Sequence, residues 1–153
     1  MRFELDLGDD YSLIGIHTSE EDYRLAFLLN QHLKTNFTNS KNQLDFKNDV
    51  ASFSVFEFIN EQHQLTIHLI ANKFVGNARQ STELNLFNSE VQFSNISYLI
   101  PEKKNIDYFL KIEGDITNNE LNKRIDTINK INQVITSYQI NPAELKSKDY
   151  LIF

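Results

Sequence analysis

The chain has 153 residues, 41% of them hydrophobic and 24% charged, with 15 Lys+Arg against 21 Asp+Glu and a formal charge of −6. That length and balance fit one soluble globular domain spanning residues 1–153. No apolar run approaches the roughly 20 residues of a membrane span. Cysteine is absent, which removes disulfides, thiol nucleophiles, iron–sulfur clusters and cysteine-based zinc sites. The acidic balance, with no basic run longer than Lys103-Lys104, argues against a nucleic-acid partner, which needs a basic face.

The N-terminus alternates at Phe3, Leu5 and Leu7, as a strand does, and is unlike the continuous apolar core of a signal peptide. The expected location is the cytoplasm. Gly8-Asp9-Asp10 is turn chemistry, and Tyr11 to His17 reads as a second strand. Thr18 with Glu21, or Ser19 with Asp22, offers overlapping N-caps for a helix running to about Leu33 or Lys34. Its apolar residues, including Tyr23, Phe27 and Leu29, cover most of the circumference, which predicts a buried helix. Thr35 to Asp49 is polar and Asn-rich, with at most a short strand at Gln43–Phe46.

Two strands, Ala51–Ile59 and Gln64–Phe74, flank the polar turn Asn60-Glu61-Gln62-His63. In the second, Leu65, Ile67, Leu69 and Ala71 share one face, with Thr66, His68 and Asn72 on the other, the alternation of a half-buried antiparallel strand. Val75 to Gln80 reads as a loop and Thr82–Phe87 as a further strand. Val91–Ile100 and Ile106–Glu113 are separated by a short polar turn after Pro101, which predicts a hairpin. Ile106, Tyr108, Leu110 and Ile112 fall on one face, with Asp107 and Lys111 on the other.

Thr117-Asn118-Asn119-Glu120 has the form of a capping box. It opens a helical stripe, Leu121, Ile125, Ile128, Ile131, Ile135 and Tyr138, at the spacing of one amphipathic face. Tyr150–Phe153 is apolar enough to pack as a strand or anchor. The fold class expected is α+β: an antiparallel sheet of four to six strands with one buried N-terminal helix and one long amphipathic C-terminal helix.

Catalytic signatures are missing. His17, His32, His63 and His68 show no metal-ligand spacing, no serine sits in a nucleophile elbow, and four glycines cannot build a phosphate loop. No cofactor and no metal is expected. Asn30 places an amide on an apolar helix face with Tyr23, so it either bonds neighbouring backbone or lines a small polar pocket. Leu99-Ile100-Pro101-Glu102-Lys103-Lys104-Asn105-Ile106-Asp107-Tyr108 reads as strand, proline-opened turn and strand. Glu102 and Asp107 suit a turn in which a carboxylate accepts backbone N–H groups, or a recognition edge for a partner.

That segment resembles the signature of a family of uncharacterised bacterial proteins, the IPExxxVDY family, with Ile100, Pro101, Glu102, Asp107 and Tyr108 matching and Ile106 in place of Val. Leu13-Ile14-Gly15-Ile16, Glu21-Asp22-Tyr23-Arg24-Leu25-Ala26, Leu29-Asn30 and Leu69-Ile70-Ala71-Asn72-Lys73 are similar to the family's other elements. The resemblance implies a bacterial protein and no particular activity.

The leading expectation is a non-enzymatic domain that binds a protein partner, or forms a homodimer, through a sheet edge or an apolar helix flank. Twelve Phe and six Tyr exceed what one small core readily hides. The alternative is a small-molecule-binding domain or enzyme with a cavity between sheet and helix, lined by Tyr23, Asn30 and phenylalanines. Candidate site residues are therefore Tyr23, Asn30, Glu102, Asp107 and Tyr108.

Overall fold

The computed structural model describes residues 11–40, 44–46, 51–78 and 93–151. The strands expected at Phe3–Leu7 and Thr82–Phe87 lie outside them. The chain order is β1 (Tyr11–Thr18), α1 (Asp22–Leu33), β2 (Thr38–Asn39), β3 (Leu44–Phe46), β4 (Ala51–Phe53), β5 (Val55–Asn60), β6 (Leu65–Ala71), β7 (Lys73–Ala78), β8 (Phe93–Tyr98), β9 (Tyr108–Glu113), α2 (Asn118–Asn129) and β10 (Val134–Ile140). A six-stranded antiparallel sheet runs β10-β1-β9-β6-β5-β2, and β3-β4 and β7-β8 form two separate hairpins. The molecule is α+β, as its sequence pattern implies.

Period-two alternation gives the sheet two buried faces. On one, Ile14, Ile16, Ile67, Leu69, Tyr108, Leu110 and Ile112 pack with Leu25 and Leu29 of α1 and Leu121 and Ile128 of α2. On the other, Leu13, Ile70, Phe109 and Ile140 pack with Phe53, Leu99, Ile100, Ile106, Leu145 and Leu151. Gly15 permits this second layer to close. A Cβ there would lie 2.7 Å from Ile140 Cδ1 and 3.0 Å from Ile106 Cδ1, so the two isoleucines meet over the glycine.

Several expectations are corrected. The helix α1 is not buried all round: Leu25, Ala26, Leu28 and Leu29 are buried, whereas Tyr23 is 59% and Phe27 57% exposed. Neither expected side-chain cap forms, and the N-cap is Glu21. Thr18 is still in β1, paired with Val134. Its hydroxyl donates to Gln133 O at 2.7 Å and accepts from Glu20 N–H at 3.2 Å, before the helix begins. The long C-terminal helix is replaced by a helix and a strand. Lys130 closes α2, turn bonds from Ile131 N–H to Ile128 O and from Val134 N–H to Ile131 O follow, and the chain returns as β10.

The expected pairing of Ala51–Ile59 with Gln64–Phe74 is realised as β5 with β6, but the second of these strands divides at Asn72 and continues as β7. The expected loop from Val75 is in part β7, which extends to Ala78. The predicted hairpin of Val91–Ile100 with Ile106–Glu113 is wrong: β8 pairs with β7, and β9 lies between β1 and β6. Ile106 precedes β9 and joins the opposite core from Tyr108.

Candidate functional site

The signature segment is held by Asn72, which is wholly buried. Its side-chain amide donates to Lys103 O at 2.9 Å and Ile106 O at 2.8 Å, and its Oδ1 accepts from Ile100 N–H at 2.7 Å. Its backbone N–H donates to Asp107 O and its carbonyl accepts from Leu99 N–H. One side chain thus supplies the hydrogen bonds that a proline-opened, chain-reversing turn leaves unmade. Sequence reading placed Asn72 only as the end of a strand. The available signal was a short amide at a strand end facing the layer that a later turn must enter.

Three motif side chains reach other parts of the chain. Glu102 accepts from Ser147 N–H at 2.7 Å and from the Ser147 hydroxyl at 3.0 Å. Asp107 Oδ2 accepts from Thr18 N–H at 2.9 Å, continuing the β1–β9 ladder with a carboxylate where the backbone register ends. Tyr108 is buried and its hydroxyl donates to Glu20 O at 2.7 Å. The carboxylates therefore do accept backbone N–H groups: Asp107 from distant Thr18, and Glu102 from distant Ser147 as well as from backbone within its own turn.

Electrostatics follow the geometry. Burial opposes ionisation of Glu102, yet the hydrogen bonds from Ser147 and neighbouring backbone outweigh it and hold its pKa below the usual carboxylate value. Burial, reinforced by Asp22, Asp107, Glu21 and Glu20, pushes the Tyr108 phenol far above its ordinary range, so it stays protonated and serves as a donor.

Asp107 and Tyr108 line one cleft of about 430 Å³. Mid-strand pleating would have set them on opposite sides, but β9 begins only at Tyr108, and Asp107, bonded through its backbone to Ile16 and Asn72, stands just before it at the end of the ladder. The β1–α1 connection, Thr18 to Glu21, forms another wall, and Ala71, Lys73 and Ile135 complete it. Glu20 pairs with Arg24 at 3.6 Å. Ile135 is skipped by the β1–β10 register, where His17 meets Thr136 and Thr18 meets Val134. As a bulge residue it is 75% exposed.

Neither Tyr23 nor Asn30 lines this cleft. Asn30 Oδ1 accepts from Phe37 N–H at 2.7 Å and the Thr35 hydroxyl at 2.9 Å, while Nδ2 donates to Phe37 O at 3.3 Å. That fastens the chain leaving α1 after Lys34, which turns in the left-handed region at φ 59°. Glu102, bonded to Ser147, does not line the cleft either.

No family model, curated protein or solved structure matches the chain. Among the described residues no group of three or more His, Cys, Asp or Glu is placed to hold a metal ion. No helix among them is long and apolar enough to cross a membrane.

Proposed function

We propose that this chain is a non-catalytic binding domain, engaging a protein partner or a second copy of itself at the cleft beside the motif and along the exposed flank of α1. The observation that carries this reading is the exposure of Ile135 on the rim of a 430 Å³ cleft. Tyr23 and Phe27, one helical turn apart on α1, are exposed as well. Large apolar side chains left in water near a concave surface mark interaction sites. The polar groups around the cleft support the same reading. Asp107 holds Thr18 N–H, Glu20 holds Arg24, and the Tyr108 phenol is a fixed donor, so none is poised as nucleophile and base.

The outer edge of β10 is a weaker docking surface. Asn129 at the end of α2 accepts from Ser137 N–H at 2.7 Å and donates to Ser137 O at 3.2 Å. Those bonds plug the middle of the edge against an added strand.

Sedimentation velocity across a wide concentration range, with a photo-crosslinker at position 135 and a control at exposed Asn132, tests the proposal. Concentration-dependent association lost in a Tyr23→Ser/Ile135→Ser variant, or a discrete cross-link at 135 and not at 132, is the expected result. A monomer at every concentration with no position-specific cross-link would refute it.

A further inference from the structure

A second cleft, of about 390 Å³, lies at the other end of α1, between its last turn, the β5–β6 turn and α2. Five basic side chains line it: His32, Lys34, His63, Lys123 and Arg124. They come from three separate parts of the chain, in a protein whose net charge is −6, so the cluster runs against the composition.

Arg124 supplies the one guanidinium among the residues lining the cleft. It is half-buried, and among the described residues its guanidinium makes no hydrogen bond or ion pair. Burial lowers its pKa, with the charge of Glu120 opposing. A half-buried guanidinium that water still reaches, and that no side chain hydrogen-bonds, keeps its donors open for an anion to complete. The two acids in the cleft do not do so. Glu120 is committed to the capping box, accepting from Thr117 N–H at 3.1 Å, and Asp115 makes no ion pair with Arg124.

We propose that this cleft binds a small phosphate ester. Arg124 would take two phosphate oxygens through its planar fork. Lys123 and Lys34 add point charges, and His63 and His32 add donors. The volume suits a small molecule with one tetrahedral oxyanion. This site is independent of the partner-binding cleft at the opposite end of α1.

Isothermal titration of the full chain at constant ionic strength, with inorganic phosphate and with glycerol phosphate, provides the test. Both should bind saturably at one site, with Kd below about 1 mM for the ester. Arg124→Gln should weaken both by at least about tenfold while unfolding cooperatively in urea, and Lys146→Gln, which does not line the cleft, should bind as the parent does. Should Arg124→Gln fail to fold, Lys123→Gln/His63→Gln changes only exposed residues and should weaken binding at least about threefold. No saturable heat, phosphate binding without ester binding, or affinity unchanged in the variants that fold would overturn the proposal.

Discussion

At the scale of single residues, the signature segment owes its shape to a side chain outside it. Asn72→Ala would leave Ile100 N–H without its acceptor and the Lys103 and Ile106 carbonyls short of a donor. Each unmet buried group costs about 1–3 kcal/mol, so a loss of roughly 3 kcal/mol or more in urea unfolding is expected. Asn72→Asp should be at least as damaging, since a carboxylate there faces two carbonyl oxygens. His68 is a second case. It is buried beside Glu57, with Nε2 3.1 Å from the carboxylate. That distance would suit an ion pair, but burial outweighs the Glu57 bond and lowers the His68 pKa from 6.5. The contact at neutral pH is thus a hydrogen bond from neutral imidazole. With a depressed native pKa, the unfolded chain binds the proton first. Stability is therefore full above pH 6.5 and falls as pH drops below it. A His68→Gln variant should lack that part of the slope in urea midpoints measured from about pH 7.5 to about 5.5; identical slopes would contradict the account.

At the scale of elements, the alternating strands were legible because burial on one face imposes period two. The pairing of β5 with β6 followed from the short polar turn between them. The C-terminal half of the expected long helix was misread for a physical reason. Ile131, Ile135 and Tyr138 continue a helical spacing by coincidence, while Val134-Ile135-Thr136 is a β-branched run that packs better in a sheet. A side chain that looks like core is then the most exposed large apolar one among the described residues. Ile128→Ala should cost about 2–5 kcal/mol through lost burial and a cavity, whereas Ile135→Ser should change stability by less than about 0.5 kcal/mol. Comparable losses at the two positions in urea unfolding would restore the longer helix. The β8 pairing was not legible either. A turn of few residues usually joins antiparallel neighbours, but here Asn72 fastens that turn to another strand, and β8 leaves with β7.

At the scale of the molecule, the α+β class and the antiparallel character of the sheet could be read from one sequence, whereas most of its strand order and the two clefts could not. Each cleft is assembled from segments far apart in the chain, so no spacing announces it. Of the five site candidates, Asp107 and Tyr108 share a cleft, Asn30 and Glu102 fasten chain segments, and Tyr23 stands in solvent. The motif's bonds serve the fold, and under the proposal above a division of work follows, in which the exposed Ile135 on the cleft rim would meet a partner. Urea unfolding of Asp107→Ala beside Tyr23→Ser/Ile135→Ser tests this division most directly. Asp107→Ala removes the acceptor of Thr18 N–H and should lose about 1.5–3 kcal/mol, the worth of a charged hydrogen bond, while the double variant should unfold within about 0.5 kcal/mol of the parent. A parent-like midpoint for Asp107→Ala, together with a large loss in the double variant, would contradict it.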